Sequence, residues 1–185
     1  MMKYTKEYLE SRIKEHGGCL TITNDDLGGL PDGLVIPHNC NLSHTNIHQV
    51  PNVTVGTSLD LSYTNISELP ERFNAAEPRY DDCMVRETGD RFPDTDDAFI
   101  VFGDLFLSGL NNLKLPETLI VTGELNLSGS FIVKWPETLI VETGLIIEEA
   151  RGLNFFEEGF HNCRCGTIIS DITSKEEKRK YYERW

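Results

Sequence analysis

The chain has 185 residues and carries 30 Asp and Glu against 17 Lys and Arg, a net charge of −13. A body that acidic repels phosphate, which disfavours direct nucleic-acid binding and attachment to anionic membranes. No apolar run is long enough to span a bilayer, the start lacks the apolar core of a secretory signal, and five cysteines in no paired spacing suit a reducing compartment. The composition predicts a soluble cytoplasmic protein.

Charge is distributed unevenly along the chain. Residues 1–14 and 175–185 are each +2, residues 15–174 carry −17, and no Lys or Arg occurs between Glu15 and Glu71. Residues 5–16 read as an amphipathic helix with Tyr8, Leu9 and Ile13 inward, stopped by Gly17-Gly18, so residues 1–18 form a predicted N-terminal cap.

A repeat then begins. Leu34-x-Ile36-x-x-x-Cys40-x-Leu42-x-x-Thr45-x-Ile47-x-x-Val50-Pro51 recurs as Val53-x-Val55-x-x-x-Leu59-x-Leu61-x-x-Thr64-x-Ile66-x-x-Leu69-Pro70. The second apolar residue of each pair falls at Ile22, Leu42, Leu61, Leu107, Leu127 and Ile147, spaced by 20, 19, 46, 20 and 20. A proline follows nine residues after the first five: Pro31, Pro51, Pro70, Pro116 and Pro136. The apolar pair reads as a short strand whose alternate side chains enter a core. A unit of this size cannot bury its apolar face alone, so neighbouring units stack.

Residues 19–156 are therefore predicted to be repeats of about 20 residues, with an irregular insertion at 71–98 inside the 46-residue interval. Cys83-x-Val85 and Pro93 favour a degenerate turn with a protruding loop there, over a plain excursion between two halves. Residues 157–185 are read as a closing turn at Cys165-x-Thr167 and a C-terminal helix opened by Thr173-Ser174-Lys175-Glu176, a capping-box pattern. Both ends of a single domain, 1–185, read as capped.

The consensus L-P-x-x-L-x-V-x-G-x-L-x-L-x-x-T-x-I-x-x-L-P resembles the short leucine-rich-repeat-like proteins of bacteria and bacteriophages. It is similar, with less specificity, to the proline-bearing repeats of bacterial type III effectors. The resemblance covers roughly residues 20 to 156. It implies a mainly β, leucine-rich-repeat-like solenoid whose strand face binds another macromolecule, usually a protein. It does not name the partner.

The residues flanking the inward positions point outward and supply the candidate site: Asp60, Asp82, Met84, Arg86, Asp104, Phe106, Glu124 and Asn126. If the degenerate turn is real, Asp82, Asp104 and Glu124 stack in one column that a basic partner would relieve, and Phe106, between Met84 and Asn126, is an exposed anchor. The expected function is a non-enzymatic protein-interaction module, a phage-type inhibitor of a bacterial host or defence protein that works by steric occlusion in the host cytoplasm. Two alternatives are a nucleic-acid mimic filling a basic groove and a self-associating structural protein. Homo-oligomers are compatible with all three.

Chemistry-bearing patterns are sparse. His161-x-Cys163-x-Cys165 offers three metal-capable side chains where structural zinc takes four, and core packing is the readier account of Cys40, Cys83 and Cys165. Asp94-x-Asp96-Asp97 opens like a calcium loop, but Phe99 and Leu105 stand where Gly and Glu are needed. His44 and Tyr63 share one repeat position, which marks a surface column rather than ligands. No cofactor and no catalytic residue is expected.

Overall fold

A computed structural model of the chain describes residues 4–73, 98–152 and 163–169. Among the described residues the molecule is mainly β, a β-solenoid of about five turns with one short helix. Seven parallel strands form a continuous front sheet: Leu20–Thr21, Cys40–Asn41, Leu59–Asp60, Leu105–Phe106, Glu124–Asn126, Gly144–Ile146 and Ile168–Ile169. Alternation sets the burial. Leu20, Cys40, Leu59, Leu105, Leu125 and Leu145 point inward and are at most 1% exposed, while their neighbours face out. Cys40 thus replaces a leucine in the core column, as the repeat predicts.

Strands also line the return path. One side holds Leu34–Ile36 paired with Val53–Val55. It also holds a separate sheet of Phe99–Val101, Thr118–Val121, Thr138–Val141 and Cys163–Cys165. The third side holds Leu113–Lys114, Phe131–Lys134 and Arg151–Gly152. Apolar side chains from the three sides meet in one core running the length of the stack.

Each turn leaves the front sheet through a corner with left-handed backbone. Asn24, His44, Tyr63, Gly109, Gly129 and Glu149 occupy this corner after the first six front-sheet strands, with φ between 55° and 69°. Only two of the six are glycine, and an aromatic residue pays for this conformation in backbone strain. Stacking offsets part of that cost: the His44 and Tyr63 rings lie 4.6 Å apart and nearly parallel. The Tyr63 ring also lies over Gly109, where a Cβ would collide with it.

One residue beyond the corner, the buried Thr45 and Thr64 hydroxyls donate to Leu42 O at 2.6 Å and Leu61 O at 2.8 Å. These side chains satisfy carbonyls that a tight turn otherwise orphans.

The N-terminal helix runs from Lys6 to Glu15, with Thr5 Oγ1 accepting from the Tyr8 N–H. Leu9 and Ile13 close the core as expected, but Tyr8 is exposed and stacks on Tyr4 at the surface. Its position, one residue before Leu9, lies off the buried stripe. Lys6 Nζ donates to Gly33 O at 3.0 Å and ties the helix to the first turns. The predicted C-terminal helix lies outside the described residues.

Two register expectations are corrected. A degenerate turn at Cys83-x-Val85 would place a strand between Leu59 and Leu105. Those residues are direct partners instead, with Leu59 N–H donating to Asp104 O and Leu61 N–H to Phe106 O, both at 2.9 Å. The closing turn exists, but Cys165 pairs with Val141 on the second side, and Ile168 pairs with Leu145. The chain simply reaches the front sheet three residues later than the spacing suggests.

Candidate functional site

The outward face of the front sheet carries the predicted columns in direct register. Asn41, Asp60, Phe106, Asn126 and Ile146 form one, and Ser58, Asp104, Glu124 and Gly144 form its neighbour. Asp60, Asp104, Phe106, Glu124 and Asn126 are brought together and half-buried. Phe106 is flanked by Asp60 and Asn126, not by Met84, because the two strands pair without an intervening turn. The same pairing removes Asp82 from the carboxylate column. Asp82, Met84 and Arg86 lie outside the described residues.

Local chemistry explains why these polar types recur. Asp60 Oδ1 accepts from the Ser62 N–H at 2.9 Å, and Asn126 Oδ1 accepts from the Ser128 N–H at 3.0 Å. Asn41 does the same for Ser43 at 2.9 Å. These are Asx turns that hold the strand end.

The neighbouring column stitches turn to turn. Asn39 Oδ1 accepts from the Ser58 N–H at 3.3 Å, Ser58 Oγ from the Asp104 N–H at 3.0 Å, and Asp104 Oδ1 from the Glu124 N–H at 2.9 Å. Each aspartate therefore commits one oxygen to the scaffold while its charge stays on the face. On sequence alone Asp60, Asp104, Glu124 and Asn126 are candidate partner contacts, with no scaffold role assigned to either column. The signal for their structural role was the recurrence of short acceptor side chains, Asn, Ser and Asp, at one repeat position.

Basic side chains are unevenly placed among the sides. Among the described residues no Lys or Arg lies in the outward columns of the front sheet. On the third side, Lys114 meets Glu68 at 3.7 Å, and Lys134 meets Glu71 and Glu117 at 3.5 and 3.8 Å. Those pairs are exposed and worth little individually. They nevertheless place lysines away from the carboxylates Asp60, Asp104 and Glu124.

No three His, Cys, Asp or Glu side chains gather as a metal ion requires among the described residues. His161 and the side chain of Cys163 lie outside them, and Cys165 packs against the core. No helix among the described residues is long and apolar enough to cross a membrane.

Cys40 is buried in the core column in register with Leu59, the chain neighbour of Asp60 on the partner strand. Burial, and secondarily the Asp60 charge, pushes its thiol up to about 12 from 9.0. The unfolded chain loses this proton first, so the cysteine's contribution is intact below pH 9 and stability falls as pH rises from there towards 12, by up to tenfold in the folding constant per unit. Cys40→Val is expected to flatten that part of the pH–stability curve measured by urea unfolding. An unchanged slope would show the thiol to be accessible in the fold.

No family model matches the chain, and no curated protein or solved structure matches it significantly.

Proposed function

We propose that the protein is a non-enzymatic binding module that holds a basic protein partner on the outward face of its front sheet and acts by occluding it. The observation that carries this reading is the position of Asp60, Asp104 and Glu124 on a continuous sheet that bears no lysine or arginine. Such a field speeds and orients the encounter, and Phe106 among these acids offers an aromatic anchor. The Leu-x-Leu column and its spaced prolines support the likeness to leucine-rich-repeat proteins of bacteria and their phages. An inhibitor of a host protein, acting in the host cytoplasm, is the role consistent with that likeness. The ranked carboxylates favour one stricter version, a nucleic-acid mimic seated in a basic groove.

The hydrogen bonds dictate the test. Asp60→Asn/Asp104→Asn/Glu124→Gln removes three charges but keeps every acceptor, and Asn41 and Asn126 already show an amide performing the Asp60 role. In affinity capture from bacterial lysate, the neutralised variant is expected to retain a basic partner at least tenfold less well, the equivalent of one favourable charge pair. Phe106→Ala should weaken capture without changing its salt dependence. A partner held equally by the parent and both folded variants would overturn the proposal, and recovery of the bait alone would point to self-association. Steep loss with salt, as the Debye length shortens from about 8 Å, would select the mimic.

A further inference from the structure

We infer that residues 73–98 are an insertion into an otherwise finished turn, and that the solenoid does not need them to fold. This goes beyond the proposed binding role, since it concerns what the scaffold requires. The chain departs after Leu69-Pro70-Glu71-Arg72 and resumes at Phe99-Ile100-Val101. Joined, the two pieces reproduce the pattern of Leu115-Pro116-Glu117-Thr118-Leu119-Ile120-Val121 and of Trp135-Pro136-Glu137-Thr138-Leu139-Ile140-Val141. The 26 residues removed turn the spacing of 46 into 20, the period of the turns that follow.

Two of the three sides already ignore the interval. On the front sheet Leu59 is the direct partner of Leu105. On the third side Leu69 N–H donates to Lys114 O at 3.0 Å, Lys114 N–H donates to Ser67 O at 2.8 Å, and Glu71 Oε2 accepts from the Glu117 N–H at 2.7 Å.

Only the second side registers the interruption. There Phe73, the first inserted residue, bridges to Phe99 and stacks on it at 4.8 Å. Val53–Val55 and Phe99–Val101 consequently belong to separate sheets. Phe73 occupies the place at which the next strand is due, three residues after Pro70, as Leu119 follows Pro116. Deleting 73–98 or 74–99 gives the same chain, because a phenylalanine stands at both edges. Entry and exit are adjacent, so excision leaves no span to bridge and removes a loop-closure cost.

The test uses the full chain lacking residues 73–98 and a second variant in which 74–97 are replaced by a Gly/Ser stretch of equal length. Both are expected to unfold cooperatively, with a midpoint equal to or above that of the parent for the deletion. Hydrogen exchange at the Leu59, Leu61 and Tyr63 amides, which donate to the strand after the interval, should stay within about threefold of the parent. The deletion should also gain protection at Phe99–Val101, whose strand becomes free to pair with Val53–Val55. Unfolding of the deletion alone would overturn the joined turn, and unfolding of both variants would overturn the insertion itself.

Discussion

Gly56→Ala is expected to cost about 3 kcal/mol, enough to lower the unfolding midpoint of a chain this size by roughly 10 °C. Gly56 is buried and its N–H donates to Ile36 O at 2.8 Å, which brings it flat against the preceding turn. A Cβ there would sit inside the Pro37 carbonyl, a backbone group that cannot rotate away. Relief requires separating two turns, and that breaks the pairing of Val53–Val55 with Leu34–Ile36. Gly17→Ala is the matched control. It has open space around its Cβ but a φ of +62°, so it should lose only about 1 kcal/mol from backbone conformation. Thermal unfolding followed by circular dichroism separates the two. Equal shifts would mean the turns are not in that contact.

Ser130→Ala is expected to destabilise the protein by about 3 kcal/mol, the combined cost of stranding a buried donor and a buried acceptor. Thr45 and Thr64 each serve their own turn, but the turn at Leu107 has Leu110 at that position and no hydroxyl. Ser130, fully buried in the following turn, supplies the missing group. It donates to Leu107 O at 2.6 Å and accepts from the Leu110 N–H at 3.0 Å. Removing one oxygen therefore orphans two groups in a neighbouring turn. Thr64→Val, which loses one bond and keeps its volume, should cost about half as much or less. Urea unfolding is the measurement, and a Ser130→Ala effect below that of Thr64→Val would sink the bridging role.

The stack was legible in the sequence because its cause is periodic. Leu-x-Leu pairs and prolines at one offset reflect a core that every turn must fill alike, and the alternation of Asp60, Phe106 and Asn126 with Leu59, Leu105 and Leu125 gave the outward columns directly. The neighbours of Phe106 were not legible, since spacing alone does not say whether 46 residues hold an extra turn or an interruption. The pairing of Leu59 with Leu105 decides it. Cys165 was misplaced for a related reason: the chain takes 24 residues to return from Val141 to Cys165, against 20 from Val121 to Val141, and the shorter link onward to Ile168 recovers only one of them. The left-handed corner escaped notice because backbone geometry there is shared by Asn, His, Tyr, Gly and Glu, residues with no common chemistry. The acceptor ladder from Asn39 to Glu124 was visible as composition but not as structure, for its bonds cross between turns.

The parting of the second side between Val53–Val55 and Phe99–Val101, opposite an unbroken front sheet, has a mechanical consequence. A stack joined along its front and third sides and divided along the second bends most easily about the edge that the two joined sides share, with Phe73 standing in the divided side. Flexing at that point changes the angle between Asp60 on one leaf and Phe106 on the other. The curvature of the face thus changes at the place where an aromatic residue and a carboxylate are neighbours across the fold line.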